Sequence, residues 1–272
     1  MIICDMHTHS DNSFDAKNSV DEMCRAAIDR GLCALAITDH CEAPFIRFGA
    51  GCEFGCFDEQ IPKSFADASE AREKYSGKLK VIRGMELGEP CHDPAATQHA
   101  LGYADFDFVL ASVHNLKNMQ DFYYMNYSGV DIDKLLRKYF TELCETAEFP
   151  HFDSLSHLTY PLRYIVAGTG KMPDLTRYMD LTDEIFKILI KNKKALEINV
   201  SGLFRELKST LPDETLVRRF RELGGEYITI GTDAHCADMV GKGIEQGIEV
   251  AKSAGFSKYC IYENHKPIEI KI

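Results

Sequence analysis

The sequence predicts an α/β fold built on a parallel sheet, with a functional site where the strands end. Three observations predict it. Short runs of apolar and β-branched residues recur at 2–6, 34–37, 79–85, 106–113, 152–155, 195–200, 227–230 and 258–262. Their length and composition suit parallel strands buried on both faces. Segments of helical period lie between most of them, the alternation expected of βα units. Residues able to ligate a metal follow one run after another.

Taken in order, the first run ends in His7-Thr8-His9. The helix after it opens on Ser19-Val20-Asp21-Glu22, a capping box. Met23, Ala26, Ala27 and Ile28 form its apolar stripe, and Gly31 supplies the left-handed exit. The second run ends in Thr38-Asp39-His40, and 41–63 then lacks any period and reads as a loop. A helix is expected at 64–75. The third run ends in Glu86, and the fourth in Ser112-Val113-His114. A second loop, 115–130, carries Phe122, Tyr123, Tyr124 and Tyr127, and a helix follows at 131–147. Long loops after strands are commonly binding segments or lids, although aromatic side chains in them also serve the loop's own packing. The fifth run leads to Ser156-His157. After a helix at 181–193, the sixth carries Glu197-Ile198-Asn199. Pro212 suits the first turn of a helix at 213–223, and Gly224-Gly225 its exit. The seventh run ends in Thr232-Asp233-Ala234-His235, and a helix at 241–254 precedes the last run. No repeat or linker divides the chain, so 1–272 is expected to be a single domain.

Composition narrows the function. A chain of 272 residues with 45% hydrophobic residues can bury a large core, which excludes a mostly disordered protein. The net charge of −11 repels polyanions, so neither nucleic acid nor an anionic membrane is an expected partner. A small anion remains acceptable if a bound metal overrides that field. No apolar run approaches the roughly 20 residues of a membrane span. The start has no basic, apolar leader, and the ten cysteines form no Cys-x-x-Cys pair. A cytoplasmic protein with reduced thiols is expected, a monomer or small homo-oligomer. Cys52 and Cys56 form the one close pair and read as free loop thiols. The basic clusters at 191–194 and 218–221 read as solvated helix faces.

Seven of the ten histidines fall at strand ends or just beyond. One histidine so placed is commonly an ordinary core or surface residue, but recurrence at five strand ends points to a site. In a barrel of parallel strands these ends open onto one face. His7 and His9 share one side of their strand, as do Asp233 and His235, so each pair can grip an ion. Imidazole and carboxylate without thiolate suit Zn²⁺, Mn²⁺ or Fe. The ligands outnumber what one ion takes, so the site is expected to be multinuclear, with Glu86 able to bridge two ions.

His7-x-His9-Ser10, Thr38-Asp39-His40, Gly84-Met85-Glu86, Ser112-Val113-His114, His157 and Asp233-Ala234-His235 together resemble the motifs of the polymerase and histidinol phosphatase (PHP) family. The likeness runs over residues 3 to 260. Within the family, the stretches at 152–157, with Arg163 following, and at 196–203 resemble the histidinol-phosphate phosphatases. The resemblance implies a distorted seven-stranded (βα) barrel of the PHP type, a TIM-like barrel with three divalent metal ions at the C-terminal ends of its strands. By that resemblance His7, His9, Glu86 and Asp233 hold one ion. Glu86, His114 and His157 hold a second, and Asp15, His40 and His235 a third. Asp15 departs from the histidine that some members carry there.

The implied reaction is metal-dependent hydrolysis of L-histidinol phosphate, a small phosphomonoester, in histidine biosynthesis, without a covalent intermediate. Arg163 is the candidate phosphate clamp. His235, Asp15 and His92 are candidates for giving the leaving oxygen its proton. Glu197, Asn199 and His92 are candidate substrate contacts, with Glu89, Glu197 and Asp93 as partners for an ammonium group. Asp39 is expected to orient a ligand histidine rather than to bind metal. Other readings are a broader phosphoesterase on nucleotides or short oligonucleotides, a silent metal-binding module, and a metal-dependent amidohydrolase, which would want a bridging lysine that the fourth run lacks.

Overall fold

A computed structural model of the chain describes residues 2–45 and 57–272. The sheet is built from β1 (Cys4–Asp5), β2 (Ala34–Ile37), β3 (His40–Glu42), β4 (Lys80–Gly88), β5 (Phe108–Ser112), β6 (Ser154–Leu155), β7 (Ala195–Asn199) and β8 (Ile228–Gly231). Its order is β1-β2-β4-β5-β6-β7-β8, all parallel, with β3 pairing beside the far half of β4. The ends of that order meet. Met6 N–H donates to the Ile230 carbonyl (3.0 Å), Asp233 N–H to His7 (2.8 Å) and His9 N–H to Ala234 (2.9 Å). The sheet is a distorted, nearly closed barrel, as expected. Except for two half-buried positions in β4, these strands are buried along their whole length, which is why they read as apolar runs rather than as alternation.

Eight helices accompany this sheet among the described residues: α1 (Val20–Asp29), α2 (Phe57–Lys74), α3 (Pro94–Leu101), α4 (Ile132–Glu148), α5 (Leu162–Thr169), α6 (Met179–Lys191), α7 (Glu214–Glu222) and α8 (Ile244–Ser253). The capping box of α1 forms: Ser19 accepts from the Glu22 N–H, and the Glu22 side chain accepts from the Ser19 N–H. Gly31 takes φ +73°, the left-handed exit. Helix α4 buries Leu135, Leu136, Tyr139, Phe140 and Leu143 at helical spacing, and Asp131 caps it. No helix among the described residues is long and apolar enough to cross a membrane.

The structure departs from the sequence reading in four places. Helix α2 begins at Phe57, seven residues before the expected start, and contains Pro62, which interrupts the backbone ladder without ending the helix. The expected loop at 41–63 therefore shrinks at both ends, and the Cys52–Cys56 pair lies outside the described residues. Strand β4 runs on to Gly88, because β3 supplies a neighbour for its last three residues. Helices α3 and α5, eight residues each, escape detection because they are too short to show a clear period. The last run becomes β9 (Lys258–Glu263), which pairs antiparallel with β10 (Lys266–Lys271) in a separate hairpin.

Candidate metal centre

Glu86 stands at the middle of the strand ends, fully buried on β4. Its Oε1 lies 3.0 Å from His157 Nε2, 3.3 Å from His114 Nε2 and 2.6 Å from the Ser112 hydroxyl. Its Oε2 lies 2.9 Å from His40 Nδ1, 3.3 Å from His7 Nε2 and 3.5 Å from His9 Nε2. One carboxylate thus meets five imidazoles drawn from four strand ends. Only the parallel topology brings such distant residues to one point.

The imidazoles face one another in pairs. Nε2 to Nε2 is 3.1 Å for His7 and His9, 3.3 Å for His114 and His157, and 3.3 Å for His40 and His235. Asp233 Oδ1 joins the first pair, 3.4 Å from His9 and 3.8 Å from His7. Asp15 joins the third, 3.2 Å from His235 and 3.7 Å from His40. These separations match the edges, about 3.4 Å, of a tetrahedron whose ligands sit about 2.1 Å from a central ion.

The far nitrogens show why the near ones face inward. His7 Nδ1 lies 2.7 Å from Glu197 Oε1, His114 Nδ1 3.1 Å from Glu42 Oε1, and His235 Nδ1 2.9 Å from the Asp233 carbonyl. His9 Nδ1 lies 3.3 Å from the Ser13 hydroxyl, which itself donates to Asp39 at 2.7 Å. A carboxylate or carbonyl at Nδ1 fixes the proton there and leaves the Nε2 lone pair bare. Bare lone pairs at 3.1–3.3 Å repel unless a cation stands between them, so the donor set fits divalent metal ions.

The charge balance shows how strongly these groups favour a positive charge among them. Burial lowers the basicity of His7, but the charges of Glu197, Glu86 and Asp233 outweigh it and raise its pKa well above the ordinary value. Burial likewise opposes ionisation of Glu86, and the surrounding histidines reverse that effect and hold it ionised. Backbone shape contributes too. Asp233 sits at φ +56°, a left-handed conformation that aspartate tolerates better than most residues, and so leaves the line of β8. Gly231 and Gly88 have no room for a side chain: a Cβ would strike His7 at the first and the Glu42 carboxylate at the second.

The PHP domain family model matches residues 5–201. The chain belongs to the PHP family. A protein of Thermotoga maritima named "Probable histidinol-phosphatase" is 30% identical over 98% of this chain and 99% of its own length. The histidinol-phosphatase of Lactococcus lactis is 28% identical over 96% and 95%. Among solved structures, the histidinol phosphate phosphatase of Lactococcus lactis, complexed with zinc, L-histidinol and phosphate, superposes with TM-score 0.84 at 25% identity. That match covers 98% of both chains.

Set in the PHP fold, the nine ligand candidates lie together at the strand ends, and the other candidates divide. Arg163, on α5, is buried beside them. Its Nη2 donates to Asp233 (2.9 Å) and to Ser201 (2.6 Å), while Nε has no partner among the described residues. His92 is not among the ligands. Glu89 turns the chain at φ +47° after β4, and His92 is carried to α4, where Nε2 lies 2.8 Å from Glu142. Glu197 and Asn199 are fully buried and engaged by other residues of the chain. Glu197 grips His7 and accepts from the His157 N–H (2.7 Å), and Asn199 donates to Glu197 and accepts from Ser201. Of the three expected ammonium partners, Glu197 is committed as above, Asp93 caps α3, and Glu89 accepts from the N–H of His114 (2.6 Å) through one oxygen while the other has no hydrogen-bond partner among the described residues. Asp39 binds four donors on Ser10, Ser13 and Ser64 and reaches His9 through Ser13.

Glu42 is the residue the sequence reading missed. It accepts from His114 and lies 3.3 Å from His40 Nδ1. Its signal was present: His40-x-Glu42 is the same two-residue spacing that pairs His7 with His9, and only the absence of an apolar run hid the short strand that aligns them.

Proposed function

We propose that this chain hydrolyses L-histidinol phosphate to L-histidinol and phosphate, with three divalent ions held at the strand ends. The observation that carries the reading is the L. lactis structure, matched over 98% of both chains and holding zinc, L-histidinol and phosphate. The facing imidazoles support it. In this reading His7, His9, Glu86 and Asp233 hold one ion, Glu86, His114 and His157 a second, and Asp15, His40 and His235 the third. Bound divalent ions supply Lewis acidity and a water whose pKa falls towards neutrality.

The chain's own residues do the rest. Glu197, Glu42, Ser13 and the Asp233 carbonyl fix the imidazoles in one tautomer and orientation. Arg163 is itself positioned by Asp233 and Ser201, and it offers the unpartnered Nε–H to a phosphate oxygen as charge builds. Burial alone would raise the Asp15 carboxyl, but the His235 hydrogen bond and the His40 charge hold it well below the ordinary range. Asp15 therefore stays ionised and is a poor proton donor. His92 is turned away onto Glu142, and His235, whose Nδ1–H would be held by the Asp233 carbonyl while Nε2 held the third ion, has no proton to give.

The test is phosphate release from L-histidinol phosphate beside a panel of phosphomonoesters, nucleotides and a phosphodiester, with Zn²⁺ or Mn²⁺ and with chelator. Strong preference for L-histidinol phosphate, lost with chelator, is the expected result. Preference for nucleotides or diesters overturns the substrate. No hydrolysis by the metal-loaded protein overturns the enzyme.

A further inference from the structure

If the phosphate is held by metals and Arg163, the organic half of the substrate still needs a partner: Glu197 is engaged through both oxygens, while Glu89 and Asp93 each accept through one oxygen, from the His114 N–H and the first turn of α3. A different carboxylate stands at the rim. Asp121 lies where the chain returns after β5, with the next residue's N–H donating to the His114 carbonyl (3.0 Å). Its Oδ1 accepts from the Tyr123 N–H (2.7 Å) and from the Tyr160 hydroxyl (3.3 Å). Among the described residues no donor reaches Oδ2, and no cationic side chain pairs with this carboxylate. Its surroundings are mostly protein rather than water, and that burial raises its pKa.

Tyr160 connects it to the metal centre. The ring lies 4.9 Å from that of His114 and 4.8 Å from that of His157. Tyr164 donates its hydroxyl to that of Tyr160 (3.1 Å), and Tyr123, 60% exposed, packs edge-on against Tyr164. A line of aromatic rings thus runs from the second histidine pair to solvent, with an unpaired carboxylate alongside. A carboxylate there repels a phosphomonoester unless the rest of that molecule carries positive charge. The rings of Tyr160 and Tyr164 already meet the Arg163 guanidinium, 5.2 and 5.9 Å from their centroids, so the carboxylate rather than the rings is what selects a positive charge.

We propose that Asp121, backed by Tyr160 and Tyr164, receives the ammonium-bearing end of the substrate and sets the preference for a cationic phosphomonoester. This rests on the function proposed above. The test compares kcat/KM for L-histidinol phosphate with that for 3-(imidazol-4-yl)propyl phosphate, which lacks only the amino group. Wild type and Asp121→Asn are assayed with equal metal content. Asparagine keeps the acceptor for the Tyr123 N–H. Asp121→Ser, which also caps, gives the same read-out should the first variant fold poorly. The wild type is expected to prefer the amino substrate. The variant is expected to lose about 10- to 100-fold of that preference, chiefly through KM on the amino substrate. An unchanged preference in both variants, with the wild type still selective for L-histidinol phosphate, overturns the role of Asp121 and leaves the function standing. A wild type that does not hydrolyse L-histidinol phosphate overturns the function itself.

Discussion

The two ends of the barrel handle buried charge in opposite ways. At the end where the strands begin, Asp107 and Glu263 meet arginine and lysine, and Asp153 a half-exposed histidine. Asp107 accepts from Arg83 Nε and from Arg72 (each 2.8 Å), Glu263 from Arg72 (2.6 Å) and Lys80 (2.9 Å), and Asp153 lies 2.9 Å from His265 Nδ1. These contacts tie α2, β4 and the β9–β10 hairpin to the floor. At the end where the strands finish, Glu86 and Glu42 face imidazoles, which carry charge only if protonated, and Asp233 has one arginine against three histidines. A closed ion network is complete without a ligand and does structural work. Imidazoles and carboxylates aimed at one another form a donor set suited to a cation.

Substitutions at the two ends should therefore differ in kind. The largest effect is expected at the mouth. Asp233→Asn keeps a residue that tolerates the left-handed backbone and can still accept from Arg163, but it removes an anionic metal ligand. Turnover should fall by about 10³-fold or more, since the ions must be held to activate water. The thermal midpoint of the metal-free chain should move only a few degrees. A metal-repleted Asp233→Asn enzyme that retains activity would overturn the ligand assignment.

At the floor the pattern should invert. Asp107→Ala strands Arg83 and the backbone N–H groups of Arg83 and Asn264. About 1–3 kcal/mol of stability is expected to go, a midpoint lower by roughly 2–10 °C in thermal melts for a chain this size. Metal content, read by atomic emission, should not change. Loss of metal in this variant would show that the two ends are coupled after all.

The smallest effect is expected at His265, whose side chain is half exposed. Asp153 raises its pKa above the ordinary 6.5 through their hydrogen bond, against partial desolvation. For a raised histidine the stabilisation is fully present below pH 6.5 and fades as the pH climbs through the raised value. His265→Asn should therefore cost on the order of 0.5 kcal/mol or less near pH 6 and still less near pH 9, as read by urea melts at both. A cost that grows with pH would assign the contact to neutral hydrogen bonding instead.

Much of the site was legible in the sequence because its ligands follow a local rule. A ligand placed just past an apolar run lies at a strand end, and two ligands at i and i+2 share one side. That rule reached His7, His9, His40, Glu86, His114, His157, Asp233 and His235, and the family likeness added Asp15. The same rule pointed to Glu42, but a three-residue strand leaves too little apolar pattern to be seen. For His92, spacing misled, because the turn at Glu89 takes the chain off the strand line.

The alternation of longer strands and helices and the strand ends that carry the candidate ligands were thus determined by the sequence alone. These depend on periodicity and side-chain chemistry, which are local properties. Tertiary structure decided the rest: that Glu197 and Glu42 hold imidazoles, that the Arg163 Nε–H has no partner among the described residues, and that Asp121 accepts from Tyr160 without a cationic partner. Whether a carboxylate is occupied or available depends on partners tens to hundreds of residues away. Only closure of the barrel brings those partners within hydrogen-bonding distance.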